Sequence, residues 1–111
     1  MSDAQLEAAA DRAALAAILE ARGRDRQARA LLEEVLATLE SVLGPEHYDV
    51  LGVLDRLASI TGRCGDRAGA ADLLARALTI RRRLLGDEHA DVRRTAAALA
   101  RTRTGCEDRS G

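Results

Sequence analysis

The chain has 111 residues, room for one domain of ordinary size, and its 17 basic side chains nearly balance 18 acidic ones, leaving a formal charge of −1. That balance carries no global bias toward nucleic acid or anionic lipid. Every cation is Arg; Lys, Asn, Phe and Trp are absent, Tyr48 is the single aromatic, and there is one proline. A chain so rich in Ala, Leu, Arg and Glu is helical throughout, which excludes a β-sandwich or barrel and leaves only aliphatic side chains to build a core.

Met1 to Glu20 carries Asp3, Glu7 and Asp11 among alanines, without the basic and compact apolar regions of a signal peptide. The first helix is expected over about Asp3 to Arg22, with Leu6, Leu15, Ile18 and Leu19 as its apolar positions. Ala28, Leu31, Leu32, Val35, Leu36, Leu39, Val42 and Leu43 then fall at i, i+3, i+4, i+7 spacing, one stripe about 100° wide on a second helix from about Asp25 to Leu43. Gly44 supplies a left-handed stop and Pro45 forbids continuation.

Asp49 is the expected cap of the third helix, whose Val50, Leu51, Val53, Leu54, Leu57, Ala58 and Ile60 are broadly apolar, as in a helix sandwiched between neighbours. Gly62 and Gly65 should end it. The stripe Ala70, Leu73, Leu74, Ala77, Leu78, Leu84 and Leu85 defines a fourth helix over about Asp66 to Leu85. Val92, Ala96 and Leu99 give a fifth, ending at about Thr104.

The elements repeat. Gly44-Pro45-Glu46-His47-Tyr48-Asp49-Val50 recurs 42 residues later as Gly86-Asp87-Glu88-His89-Ala90-Asp91-Val92, and 14 of the 36 residue pairs from 15/57 to 50/92 are identical, far beyond chance. Leu57 and Ala58 map again onto Leu99 and Ala100, and Cys64 onto Cys106, so the chain stops inside a third copy.

Small residues at the helix crossings, a 42-residue period and the linker L-G-x-E-H-x-D-V resemble the tetratricopeptide repeats of kinesin-light-chain type, over about residues 10 to 106. The resemblance implies an all-α, right-handed α–α solenoid of about two and a half helical hairpins, five helices in all. The repeat domain is expected over residues 1–106, with copies at about 8–49, 50–91 and a partial 92–106, followed by a flexible tail at 107–111. Where that family usually has tyrosines this chain has Leu19, Asp25 and Leu32, then Thr61, Arg67 and Leu74, so Leu32 and Leu74 are both expected to pack the stack with aliphatic contacts.

The same resemblance implies a non-catalytic protein-interaction module that receives a partner on its concave face. The family's inner positions fall on Ala10, Ala13 and Ala17, then Gly52, Asp55, Arg56, Ser59 and Arg63, then Arg94, Ala97 and Arg101. The alanines leave room for a partner helix and the arginines suit carboxylates, so an acidic amphipathic helix is the matching ligand. Another possible reading is a fragment or accessory part of a larger signalling regulator with further repeats.

Other chemistry is weakly supported by spacing. His47 and His89 each sit in an E-H-x-D loop, but no third ligand is placed for a metal, and the loops suit a turn ordered by His and a helix capped by Asp49 or Asp91. Cys64 and Cys106 lack a C-x-x-C arrangement and read as free thiols of a reducing compartment. The run Gly62 to Gly69 lacks the G-K-[ST] end of a phosphate loop and reads as an inter-helix turn. No credible Ser-His-Asp set exists, so no enzyme activity, metal or cofactor is expected.

Charge is split unevenly: residues 1–50 hold five Arg against ten acids, and residues 51–111 hold twelve against eight. Arg81, Arg82, Arg83, Arg93, Arg94, Arg101 and Arg103 could touch phosphates in a regulatory nucleic-acid contact, the alternative function. Yet consecutive helical residues spread around the axis, and no aromatics interleave for base stacking. A protein or peptide partner is therefore expected ahead of nucleic acid. With no apolar run near the roughly 20 residues a bilayer requires, the expected setting is the cytoplasm, and the all-Arg cation set suggests a bacterial source. Arg93, Arg94, Arg101 and Arg103 give the last helix a polar outer face, so a monomer or weak dimer is expected.

Overall fold

The 3.6-period stripes fold as five α-helices in the computed structural model, which describes the backbone of residues 2–110 and the side chains of residues 3–104. They are α1 (Ser2–Ala21), α2 (Asp25–Leu43), α3 (Tyr48–Arg63), α4 (Arg67–Leu85) and α5 (Ala90–Ser110). The last runs past the expected end near Thr104. The Cys106 thiol and the expected 107–111 tail lie outside the residues whose side chains are described.

The four turns share one device. Gly23, Gly44, Gly65 and Gly86 stand 21 residues apart, and each has a positive φ between 75° and 93°, a conformation that any Cβ would strain. The α1–α2 and α3–α4 turns close with the Arg24 N–H on the Leu19 carbonyl at 2.8 Å and the Asp66 N–H on the Thr61 carbonyl at 3.1 Å, the six-to-one bond of a Schellman motif. The α2–α3 and α4–α5 turns instead end on histidine. His47 Nδ1 accepts the Asp49 N–H at 3.0 Å, and His89 Nδ1 accepts the Asp91 N–H at 3.0 Å. The expectation that Asp49 and Asp91 cap these helices is thus corrected: the imidazole two residues upstream takes the orphan donor, and the carboxylates flank it at 3.8 and 3.9 Å.

Among the described residues, α4 alone has an aspartate cap. Asp66 Oδ1 accepts the Gly69 N–H at 2.8 Å, and a Cβ on residue 69 would collide with the Asp66 carboxylate, so the cap needs glycine there. At the corresponding start of α2, Arg24 makes no side-chain cap bond.

Among the described residues, helix backbones approach closely only between neighbours in the chain, α1 on α2, α2 on α3, α3 on α4 and α4 on α5, the one-dimensional stacking of a solenoid. The slab they form measures 48 × 34 × 18 Å. Its main core joins α1 to α4 through side chains such as Ala16, Leu32, Val35, Leu54, Leu57 and Ile60, and a smaller cluster of Ala71, Leu78, Val92 and Leu99 holds α5. Leu32 is fully buried, but its repeat-mate Leu74 is only half-buried at the edge of the smaller cluster. The equal packing expected of the pair fails because α5 brings few large apolar side chains to cover Leu74.

Candidate functional site: the concave face

Because the backbones of α1 and α3 stand apart, as do those of α3 and α5, a groove runs between each pair, the first bridged at one end by Glu20 with Arg56 and Arg63. The first is lined by Leu6, Ala9, Ala10 and Ala13 of α1, Val35 and Leu39 of α2, and Tyr48, Asp49, Gly52, Val53 and Arg56 of α3, and encloses about 470 Å³. Alanines at helical spacing on α1 and glycine on α3 keep the walls low, and nothing lies within 4 Å of where a Gly52 Cβ would stand. The second, of about 760 Å³, has α4 as its floor. Its walls include Asp55, Ala58, Ser59, Gly62, Arg94, Thr95, Ala98, Arg101 and Thr102, and Arg67, Ala70, Leu74 and Arg81 rise from below.

The inner positions named from the sequence divide between these spaces. Ala10, Ala13, Gly52 and Arg56 line the first groove, while Asp55, Ser59, Arg94 and Arg101 line the second. Ala17 and Arg63 border a small cleft at the α1–α2 turn. Ala97 is exposed and lines neither groove. Sequence reasoning passed over Tyr48, which is 58% exposed at the rim of the apolar groove. Its signal was present: the one aromatic in the chain occupies the first turn of an inner helix. Arg67 was also missed, since it starts an outer helix and reaches the second groove from its floor.

Most charges on this face are already engaged. Arg63 reaches Glu20 at 2.7 Å and Asp25 at 3.2 Å, and the hydrogen bond to Asp25, then that to Glu20, holds its guanidinium pKa above the ordinary value. Arg56 lies 3.6 Å from Glu20, and Arg94 pairs with Asp91 one turn earlier. Arg81, whose side chain is 15% exposed, grips both Asp55 oxygens and donates to Thr95 Oγ1 at 3.0 Å. Asp55 hydrogen bonding is the leading cause of its raised pKa. One residue of α4 thereby ties α3 to α5. Among the described residues, Arg67 and Arg101 make no ion pair and are the cations of the second groove left for a ligand.

No group of three or more metal-ligating side chains occurs among the described residues, and Cys64 is a half-buried free thiol packed against the main core. The Gly62–Gly69 run is the α3–α4 turn, with its glycines serving Schellman closure and the Asp66 cap. No helix among the described residues is long and apolar enough to cross a membrane.

The sequence profile described as tetratricopeptide repeat matches residues 12–49 and 50–91, one copy to each 42-residue unit. The chain belongs to the tetratricopeptide repeat family. Among solved structures it is similar to a Podosopora anserina protein assigned as a kinesin light chain with nearly identical TPR-like repeats, at 30% identity and a TM-score of 0.75, covering 85% of this chain and 44% of that one. A variant of that protein matches at 30% identity and a TM-score of 0.74, with the same coverage. The chain thus spans less than half the length of the solved structures it matches. No curated protein matches it significantly. The five helices are an all-α, right-handed tetratricopeptide solenoid, the fold of a protein–protein interaction module.

Proposed function

We propose that this tetratricopeptide module binds an acidic amphipathic helix of a partner protein along its concave face, non-catalytically. The observation that carries this reading is the change of chemistry along one continuous face. The α1–α3 groove is walled by small apolar side chains and rimmed by Tyr48. The α3–α5 groove holds Arg67 and Arg101, which pair with no carboxylate among the described residues, while its Asp55 and Asp91 are engaged by Arg81 and Arg94. A partner helix would set its apolar ridge over Ala10, Ala13 and Gly52, where low walls permit close approach, and turn its carboxylates toward Arg101 and Arg67.

A nucleic-acid role for the Arg-rich half has less to draw on. Of the seven arginines that suggested it, Arg81 meets Asp55, Arg82 Asp87, Arg83 Glu46, Arg93 Glu88 and Arg94 Asp91, leaving Arg101 and Arg103 without an ion pair among the described residues. A cation already neutralised by a carboxylate releases few phosphate counterions.

The test is affinity capture with cross-linking to identify a partner, followed by kinetics on two variants. Gly52→Leu fills open space on an exposed helical position, where leucine favours the helix by about 0.8 kcal/mol, so it blocks the groove without unfolding the chain. It should speed partner release at least about tenfold, a loss of about 1.4 kcal/mol. Arg101→Glu should mainly slow association, and the more so at low salt. Unchanged kinetics in both variants would move the site off the concave face.

A further inference from the structure

The 42-residue repeat allows each inner helix to be compared with its mates, and α1 stands apart. Leu57 and Ile60 of α3 are 3% and 0% exposed, in the core that α3 shares with α2. Their counterparts Leu15 and Ile18 are 47% and 51% exposed. This outer face of α1, opposite the Ala9 and Ala16 side, is the one that α3 and α5 turn toward the preceding helix, and no described element covers it.

The charges on that face indicate what does. Where α3 has Val53, α1 has Asp11, and where α3 has Cys64, the α1 terminus has Arg22. Both charged residues are exposed and make no ion pair among the described residues. A preceding repeat with an aliphatic stripe like that of α2 would bury Asp11 against apolar side chains, a costly arrangement. A second α1 running antiparallel meets every requirement. Leu15 and Ile18 are equidistant from the point midway between Ala16 and Ala17, and so are Asp11 and Arg22. A two-fold axis there sets Leu15 of one copy on Ile18 of the other and Asp11 opposite Arg22, twice each, with about 8 Å along the axis from the centre to each ion pair.

We propose that the chain self-associates as a two-fold dimer through the exposed face of α1, in the antiparallel register that pairs Leu15 with Ile18 and Asp11 with Arg22. This surface is distinct from the concave grooves and independent of what fills them. Two large aliphatic side chains per helix make a small interface, below the size of a stable one, so the dimer is weak and its dissociation constant micromolar or higher.

Sedimentation of the full chain from about 1 to about 500 µM should show a reversible monomer–dimer equilibrium. Leu15→Glu, at an exposed position that leaves the melting temperature unchanged, should weaken it at least about tenfold. Asp11→Arg alone should do the same by setting two arginines against each other, and Asp11→Arg combined with Arg22→Asp should restore it. A chain that stays monomeric throughout this range overturns the proposal, as does a dimer indifferent to Leu15→Glu. A dimer lost on Leu15→Glu but unmoved by Asp11→Arg, or not restored by the double reversal, overturns the antiparallel register.

Discussion

At the position where α3 presents Val53 to its neighbours, α5 presents Thr95, and the two ends of the solenoid diverge from that exchange. Around α3, Val50, Leu51, Val53, Leu54, Leu57 and Ile60 join α1, α2 and α4 in one aliphatic cluster. Around α5 the buried set shrinks to Ala71, Leu78, Val92 and Leu99, and the polar clasp of Arg81 on Asp55 and Thr95 supplements it. One repeat template therefore supports two kinds of cohesion. Burial dominates in the first four helices, and a directional hydrogen-bonded tie supplements it at the fifth.

The largest expected difference between the two regions is in core truncation. Leu54 is fully buried in the larger cluster, so Leu54→Ala should cost about 4–5 kcal/mol, near the upper end for such changes, since neighbours on three helices cannot all collapse into the void. Leu99 is 6% exposed in the smaller cluster, and Leu99→Ala should cost about 2–3 kcal/mol. Urea unfolding at constant m-value measures both. Equal losses would erase the distinction between the two ends.

Next in size is the clasp. Replacing Arg81 by Met keeps much of the packed stem but leaves Asp55 and Thr95 without their shared donor, and should cost about 1–3 kcal/mol. The effect should be local. Amide exchange should quicken in α5 while α2 keeps its protection, because cohesion between α1 and α3 does not pass through Arg81. Uniform loss of protection along the chain would mean that the clasp supports the whole stack.

A smaller change should sharpen the contrast in the other direction. Thr61 is 1% exposed within the aliphatic part of α3, and its hydroxyl has no hydrogen-bond partner. Thr61→Val keeps the shape and removes the unsatisfied group, so it should stabilise by about 1 kcal/mol and raise the melting temperature by about 4 °C. A drop in melting temperature would point to a partner for that hydroxyl.

How far the sequence foretold all this depends on the range of the interaction. Helix limits were legible because they follow from local rules: the apolar stripe of α2 begins and ends where Asp25 and Gly44 place it. The repeat and its family were legible in the G-x-E-H linker. Capping at α3 was misread because the helix begins at Tyr48, which places Asp49 inside the first turn and makes His47 the N-cap whose imidazole accepts the Asp49 N–H. The ion pairs between helices were not legible. Arg63 with Glu20, Arg76 with Glu40 and Arg83 with Glu46 join residues 36 to 43 apart, so which arginine stays available for a ligand depends on helix stacking. The half-charge asymmetry had suggested a basic patch; Asp55, Asp87, Glu88 and Asp91 of the second half itself, with Glu46 of the first, engage five of its seven arginines.

The smallest effect separates the two outer helices, α2 and α4, at their starts. The Asp66 carboxyl accepts the Gly69 N–H and, at 3.1 Å, the Arg29 guanidinium. These hold its pKa below the ordinary carboxylate range, the backbone bond being the larger cause. A carboxyl with a lower pKa in the folded chain contributes stability that is present above its unfolded value, about 3.9, and is lost as pH falls through the folded one. Acid should therefore loosen the cap at the start of α4, while α2, whose Arg24 makes no cap bond, has no cap to lose. Asp66→Asn keeps a side-chain oxygen for the Gly69 N–H but carries no titrating group, so its stability should fall less steeply than that of the parent between about pH 5 and pH 2. The Gly69 amide resonance should track the same titration in the parent and not in the variant. Superimposable acid-unfolding curves for the two proteins would show that the carboxylate charge is not linked to folding, and that the cap works through its oxygen alone.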